Sequence, residues 1–229
     1  MVSSQAGRGL AAAAMSWAAP RAPRKYGMSP TPRATATAQR RRVILDAALA
    51  CFVQQGVTET TLATIRARAH VSIGSLYHHF SSKDHLAAAL YIEGLRQAQH
   101  HVLASVLRHR QAAAGIRAMV QAYLDWVQTY PEYALFLLTH RQAEFMQQVE
   151  TEVATLNADF QAQFAAWVAP HVQAGVLPPF SSELYGALVM GPCEYCARRW
   201  LMGDRQPRTL VQLKRQLARA TFPALQALR

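Results

Sequence analysis

The sequence of 229 residues has only three cysteines and no hydrophobic run long enough to cross a bilayer. An odd number of cysteines without framework spacing argues against a secreted scaffold held by disulfides, and a membrane-spanning helix needs about 20 consecutive apolar residues. Charged residues are also few, at 16%, whereas hydrophobic residues make up 51%, so the chain as a whole is not expected to be disordered. We therefore expect neither a disulfide-rich domain nor an integral membrane protein, and no membrane partner.

Acidic residues are scarce, and the shortage is concentrated at one end. The chain has 24 Lys and Arg against 13 Asp and Glu, which gives a net charge of +11. Residues 1–42 contain eight of the basic residues and no acidic one, whereas charges balance within residues 43–91. Such a cationic segment attracts polyanions such as DNA, RNA or anionic lipid; a solvated tail without function is the alternative. We predict that residues 1–37 form a disordered basic extension.

Strand-like alternation and internal repeats are also missing, whereas apolar residues recur at helical spacing from about Ala38 onward. Gly56 follows the first periodic segment and predicts its end. Serine or threonine stands at the predicted N-cap of each of the next three helices: Thr60 or Thr61, Ser72, and Ser81 or Ser82. Five more helices are predicted at about 112–129, 131–138, 141–171, 182–203 and 207–228. The sequence therefore predicts an all-α protein.

The two short helices between Thr61 and Phe80 have the spacing of a helix-turn-helix unit. Four apolar positions are spaced to fill the wedge between them: Ile65, Ala69, Val71 and Leu76. The second helix then exposes mainly small or hydrogen-bonding residues: Ser72, Ile73, Gly74, Ser75, Tyr77 and His78. Such a helix suits the DNA major groove. Three side chains are placed to meet flanking phosphates, which position a protein without reading sequence: Tyr77, His78 and Lys83.

The segment from Thr60 to Leu86 resembles the DNA-binding domain of the TetR family of transcriptional regulators. The diagnostic ending of that family, Tyr-x-His-Phe-x-x-Lys-x-x-Leu, is present as Tyr77, His79, Phe80, Lys83 and Leu86. Upstream residues fit the family pattern as well: Gly56, Thr61, Ile65, Ala69, Val71 and Ser72. The resemblance covers about residues 38–95. It implies a DNA-binding set within the motif and just after it: Thr61, Ser72, Ile73, Gly74, Ser75, Tyr77, His78, His79 and Lys83.

The resemblance also implies an order of domains, with a three-helix helix-turn-helix domain at 38–98 and a larger helical effector-binding and dimerisation domain at 99–229. Aromatic residues and Met at helical spacing are ordinarily core, but small-molecule cavities use the same apolar lining. For the inducer pocket that the family holds there, we expect Met119, Tyr123, Trp126, Phe136, Phe145 and Trp167. For the dimer interface on the last two helices, we expect Leu188, Leu213 and Leu217. A hairpin that only closes the core of one chain is the alternative.

Two residues depart from the family pattern. Arg66 stands where the family usually has alanine and two helices pack closely, and His70 stands where the turn usually has glycine. The aliphatic stem of an arginine can lie over such a contact and carry the charge outward. A residue other than glycine at positive φ costs roughly 1 kcal/mol, and His is among those that tolerate it best. We expect these two residues either to affect the stability of the motif and the angle between its helices or to add contacts to DNA phosphates.

These features predict a homodimeric, cytoplasmic transcriptional regulator, a repressor that binds a palindromic operator in double-stranded DNA and responds to a small-molecule effector. We expect no enzymatic activity, cofactor or metal site, because no catalytic grouping or metal-ligand spacing stands out. Two alternatives stay open. Cys193 and Cys196 form a Cys-x-x-Cys pair that suits a thiol-redox protein, although it lies in a helical pattern. A helical adaptor without DNA recognition is the other, indicated only by Arg66 and His70.

Overall fold

The computed structural model describes residues 32–203 and 205–228, which are mostly helical and contain no β strand within these ranges. The α-helices follow one another in this order: α1 (Pro32–Gln55), α2 (Leu62–Ala69), α3 (Ile73–His79), α4 (Lys83–Val106), α5 (Ala112–Thr129), α6 (Pro131–Thr139), α7 (Glu150–Gln173), α8 (Ser182–Tyr185), α9 (Gly191–Met202) and α10 (Pro207–Gln226). A 3₁₀ helix, Glu144–Val149, precedes α7, and a π-helical segment, Gly186–Met190, joins α8 to α9. The predicted all-α class is confirmed.

The first helix begins at Pro32, earlier than the start near Ala38 that the apolar pattern predicted. Residues 35–40 are all exposed, so this part of the helix has no buried side that an apolar repeat could reveal. The extension predicted over residues 1–37 therefore overlaps the first helix at its end. The rest of that prediction falls on residues 1–31, outside the described residues.

The first three helices pack around a small apolar core. Gly56 ends α1 with φ at 81°, a left-handed conformation that glycine adopts readily at helix C-termini. The predicted N-caps are confirmed: the Oγ1 of Thr61 accepts from the backbone N–H of Thr64 at 3.1 Å, and the Oγ of Ser72 accepts from that of Ser75 at 3.2 Å. The apolar residues of this core are almost fully buried: Ile44, Phe52, Ile65, Leu76 and Phe80.

Helix α4 joins the two halves of the molecule, since it runs through the predicted boundary between residues 98 and 99. Helix α6 packs against both α4 and α1. Gly94 of α4 lets Tyr133 approach closely, because a Cβ at this position would lie 2.8 Å from the Cδ1 of Tyr133. The rings of Phe52 in α1 and Phe136 in α6 stack with centroids 5.9 Å apart. One apolar core therefore runs from α1 into the second half.

Two predicted helices of the second half differ from the structure. The helix predicted from Arg141 begins only at Glu150, because the chain before it turns to bury Phe145, whose ring stacks on Phe136 at 6.1 Å between centroids. The helix predicted over 182–203 is present, with the π-helical segment inside it. By contrast, α5 has the predicted bounds. Among the described residues, no helix combines the length and hydrophobicity of a bilayer span.

Candidate nucleic-acid interface and effector cavity

Helix α3 turns one face to the core and the other to solvent. Leu76 is buried with Phe80 just after the helix, whereas Ile73 and Tyr77 are 62% and 52% exposed and His78 is exposed as well. The outer face therefore offers an apolar group, a phenol and an imidazole side by side. These groups can contact base edges and phosphates without disturbing the core.

Gly74 lies on the same exposed helix and is not required by packing within the chain. A Cβ built there would meet no heavy atom within 4 Å, and its φ is not left-handed. Neither crowding nor backbone strain thus explains a glycine at this position. The missing side chain leaves room for a partner to approach the helix backbone closely.

Several predicted DNA-binding residues also hold the motif together. The Thr61 and Ser72 hydroxyls accept the N-cap hydrogen bonds of α2 and α3. The Nζ of Lys83 donates to the backbone carbonyl of Thr58 at 2.7 Å and so ties the start of α4 to the loop before α2. An ammonium has three N–H donors. A phosphate contact from Lys83 is therefore compatible with this bond and stays a prediction.

Two arginines of α1 extend the basic surface near α3. The guanidinium carbon of Arg41 lies 5.4 Å from the centroid of the Phe80 ring. His79 is half-buried; burial lowers its pKa, and the charges of His78, Arg41 and Arg40 lower it further. Sequence reasoning missed Arg40 and Arg41 as part of this site, because it counted them only in the charge of the N-terminal segment. The run of three arginines at 40–42 was the available signal.

The two departures from the family pattern fit the geometry of the motif. His70 is left-handed, with φ 52° and ψ 41°, as its position in the turn predicts. The side chain of Arg66 is exposed, so it does not come between the helices, and Ile65 and Ala69 remain buried beside it. The turn keeps its backbone bonds, from the N–H of Val71 to the carbonyl of Arg66 at 3.4 Å among them.

A cavity of about 570 Å³ lies in the second half, among α4, α5, α6, α7, the π-helical segment and α9. Tyr123 and Trp126 of the predicted pocket line it, together with Tyr91, Met146 and Phe160. Burial raises the pKa of the Tyr91 and Tyr123 phenols, so both are neutral hydrogen-bonding groups at pH near 7. The volume and the largely apolar wall are typical of a small-molecule site.

A few polar groups also line this cavity. The Nη2 of Arg141 lies 3.3 Å from Oε1 of Glu194, which joins the segment after α6 to α9. The side-chain amides of Gln99 and Asn157 bond across the cavity wall at 2.8 Å. Sequence reasoning missed both pairs, since the partners are more than 50 residues apart and carry no local motif.

Four residues predicted for the pocket do not line this cavity: Met119, Phe136, Phe145 and Trp167. Met119, Phe136 and Phe145 are buried in the core. The Trp167 indole covers Gly115, and its Nε1 donates to the backbone carbonyl of His109 at 2.8 Å. Aromatic side chains at helical spacing fill cores and line cavities alike, and the sequence does not separate the two.

The predicted dimer residues are not the most exposed apolar groups of the last helices. Leu188, Leu213 and Leu217 are half-buried, and Leu188 and Leu217 pack against the core. The exposed apolar side chains lie instead on α8 and α9: Leu184 is 42% exposed, Tyr195 63% and Met202 58%. Exposure within one chain does not test an interface between two chains, so Leu188, Leu213 and Leu217 stay a prediction.

The Cys-x-x-Cys pair lies on α9 in surroundings that disfavour thiolate. Cys193 is buried, its Sγ donates to the backbone carbonyl of Val189 at 3.2 Å, and burial raises its pKa to about 12. Burial also raises the pKa of Cys196. The thiolate is the reactive form, so this geometry does not favour a thiol-redox role. Among the described residues, no three His, Cys, Asp or Glu cluster as metal ligands would.

Residues 44–90 match the family model of bacterial regulatory proteins of the tetR family. The HTH-type transcriptional regulator BetI of Burkholderia thailandensis is 36% identical over 91 residues, which are 38% of this chain and 45% of that protein. The HTH-type transcriptional repressor Rv1474c of Mycobacterium tuberculosis is 33% identical over 99 residues, 42% of this chain and 50% of that protein. The match thus spans half or less of the length of these curated relatives.

Solved structures extend the likeness to the second half. A TetR-like transcriptional regulator from Rhodococcus sp. RHA1 is 27% identical, covers 78% of this chain and 93% of its own, and has a TM-score of 0.56. The regulator FadR from Bacillus subtilis, in complex with stearoyl-CoA, is 17% identical, covers 79% of this chain and 97% of its own, and has a TM-score of 0.67. At the latter identity the likeness shows the fold alone: a helix-turn-helix unit followed by a larger helical domain.

Proposed function

Residues 44–90 match the tetR family of bacterial regulatory proteins, and from this premise we propose that the chain regulates transcription by binding duplex DNA through α3. The observation that carries the proposal is the outward face of that helix, where Ile73, Gly74 and Tyr77 face solvent while Leu76 anchors the helix in the core. Arg40 and Arg41 supply positive charge beside it. This arrangement suits a recognition helix, in which contacts to bases determine sequence specificity and contacts to phosphates position the protein on the duplex.

Binding to the upstream region of its own gene tests this function. Fluorescence anisotropy with that duplex and with a scrambled duplex, at about 50 mM and about 200 mM salt, should give tighter binding to the upstream duplex. Affinity for both should fall with salt, because phosphate contacts release counterions. No binding to any duplex at the lower salt would contradict the proposal and leave the adaptor alternative.

The cavity is proposed to hold an apolar or amphipathic effector that changes DNA affinity. Helix α6 supports a connection between the cavity and the DNA-binding face, because Ala134, Leu137 and Leu138 line the cavity while Phe136 stacks on Phe52 of α1. An effector shifts the equilibrium only by its difference in affinity between the two forms of the protein. The solved FadR that shares this fold contains stearoyl-CoA, which supports an amphipathic ligand here.

A dye that fluoresces in apolar surroundings, 1-anilinonaphthalene-8-sulfonate, provides a first test of the cavity. Ala187 lines the cavity and is exposed, so Ala187→Trp should fill its mouth without crowding the core. Dye affinity should then fall at least about fivefold, an effect of order 1 kcal/mol. Ala220→Trp, at an exposed position on α10, is the control. Equal loss in both variants would contradict binding in this cavity.

The dimer, the operator, repression and the cellular location are proposals that follow from the family match and from the surface of the protein. We propose a dimer interface on the last helices, through Leu188, Leu213 and Leu217 together with the exposed side chains of α8 and α9. Such a dimer would bind a palindromic operator whose half-sites lie about 34–36 Å apart. A repressor is favoured because the relative from Mycobacterium tuberculosis is named as one. The protein would act in the cytoplasm, where its DNA is, and would not be an enzyme, in line with relatives named as transcriptional regulators.

A further inference from the structure

A groove of about 350 Å³ between α5 and α10 is lined by three arginines. Arg117 and Gln121 are four residues apart on α5, and Arg215 and Arg219 are four residues apart on α10. Residues at this spacing share one face of a helix, so each helix turns two long polar side chains to the same groove. Ala218, which is buried, also lines it, and its small side chain leaves space there.

The positive charge of this groove has no counterpart on the described part of the chain. No carboxylate of the described residues lies within salt-bridge distance of the three guanidinium groups, whereas Arg42, Arg96 and Arg141 each pair with a glutamate or aspartate. Helix α10 contains no Asp or Glu. The single acid of α5, Asp125, already bonds to Lys214 of α10. Three like charges around one groove repel each other and raise the local concentration of anions.

We propose that this groove binds a small anion with several phosphate groups, such as a polyphosphate chain or a nucleoside triphosphate. Guanidinium groups bind phosphate oxygens through two parallel hydrogen bonds, and three of them around one groove suit a ligand with several phosphates. The volume lies at the lower end of small-molecule sites. No residue of the groove lines the effector cavity, so the two sites are separate.

The location favours a small anion over a nucleic acid. Helix α10 packs against α5, α9 and the π-helical segment, whereas α2 packs against α1 in the other half of the molecule. The groove therefore belongs to a different part of the fold from the face of α3 that is proposed to meet DNA. A ligand bound here can act on the second half while DNA is bound.

Isothermal titration of the full chain with tripolyphosphate tests the proposal. We expect saturable binding that weakens at least about tenfold in the double variant Arg215→Gln/Arg219→Gln. Gln121→Glu should weaken tripolyphosphate binding similarly, because this variant keeps every arginine and adds a carboxylate to the groove. Gln121 is exposed, so this variant still tests the proposal if the double variant fails to fold. Arg108→Gln/Arg110→Gln is the matched control, since both arginines are exposed outside the groove and the same charge is removed.

Four results would overturn the proposal. Wild-type protein that shows no saturable binding, or a control variant that loses as much affinity as the groove variants, would mean that the arginines only contribute to net charge. Duplex DNA affinity that falls in parallel with tripolyphosphate affinity would assign the groove to nucleic acid. A change of molar mass in light scattering on Arg215→Gln/Arg219→Gln would assign it to contact between copies of the chain. Unchanged mass, unchanged DNA affinity and lost tripolyphosphate binding support it.

Discussion

At the scale of single residues, Gly74 allows the requirements of the fold to be tested separately from those of the proposed DNA contact. A methyl group there meets no atom of the chain, and alanine favours a helix over glycine by about 1 kcal/mol. We therefore expect Gly74→Ala to leave the thermal midpoint unchanged or raise it, yet to weaken binding to the upstream duplex at least about tenfold. Anisotropy and circular dichroism melting measure the two effects.

The matched control is Gly186→Ala, because a Cβ at Gly186 also meets nothing within 4 Å and lies in the other half of the chain. Gly186 lines the effector cavity, so the comparison is made without effector. Its DNA affinity should equal that of the wild type. If Gly74→Ala binds the duplex as tightly as the wild type does, α3 does not approach DNA with this face.

We expect His79 to make the stability of the motif depend on pH. Its pKa is lowered by burial and by the neighbouring charges of His78, Arg41 and Arg40, so the unfolded chain binds the proton more readily than the folded one. Its contribution to stability is therefore present above the ordinary histidine pKa of about 6.5 and is lost as the pH falls from there through the lower pKa of the folded protein.

We expect the thermal midpoint to fall between about pH 7.5 and about pH 5.5, and to fall less in His79→Gln. Differential scanning calorimetry at both pH values measures the difference. The midpoint of the variant at the higher pH serves as control for a general loss of packing. An equal fall in variant and wild type would show that other groups set the pH dependence.

The motif residues were the most predictable part of the site, because caps and turns are local. Thr61 and Ser72 cap their helices as residue type and spacing predict, and His70 takes the left-handed turn conformation. The bond from Lys83 to Thr58 joins residues 25 positions apart, and the pairing of Arg141 with Glu194 spans 53. No local pattern encodes such partners, so the sequence predicted the residues of the motif but not these contacts.

At the scale of helices, close packing depends on positions without side chains. Gly115 of α5 lies under Trp167 of α7, and a Cβ there would be 2.0 Å from the Cζ2 of the indole. The indole cannot simply move aside, because its Nε1 is bonded to the His109 carbonyl. We expect Gly115→Ala to lower the free energy of unfolding by about 1–3 kcal/mol, as overpacking does, measured by urea denaturation.

A second change tests the cause of that loss. In the background of Trp167→Leu, where the indole is absent, Gly115→Ala should cost much less, so the two changes should be strongly non-additive. Additive losses would show that crowding by Trp167 is not the reason for glycine at this position.

Helices with a regular apolar face were predicted well, and those shaped by distant contacts were not. The apolar repeat of α5 yields its bounds, whereas the exposed start of α1 has no such repeat. The segment before α7 turns because Phe145 stacks on Phe136, a contact between helices that spacing along one helix does not contain. The same reason explains why Phe136 and Phe145 were expected in the pocket and lie in the core.

At the scale of the whole molecule, α6 and α4 both line the cavity and pack against α1, and α6 connects the cavity to the half that contains α3 through aromatic contacts. It lines the cavity with Leu137. Its contacts with α1 include the stacking of Phe136 on Phe52 and the approach of the Arg42 guanidinium to within 5.9 Å of the Tyr133 ring centroid. A shift of α6 by an effector would move α1, and with it α2 and α3. Such a shift would change DNA affinity only in a dimer, because only a dimer must hold two copies of α3 at the fixed spacing of two half-sites.

The proposed dimer interface is therefore the last feature to test. Tyr195 is the most exposed of the large apolar side chains on α8 and α9, so a charge there would be buried without a partner if two copies meet on this face. We expect Tyr195→Glu to be monomeric in light scattering at concentrations where the wild type is a dimer, and to lose affinity for the full upstream duplex. Both proteins should bind a single half-site equally, because α3 is intact. If Tyr195→Glu is still a dimer, the interface lies on another surface, for which Leu213 and Leu217 are candidates. If the variant is monomeric but still binds the full duplex more tightly than a half-site, DNA recognition does not depend on dimerisation.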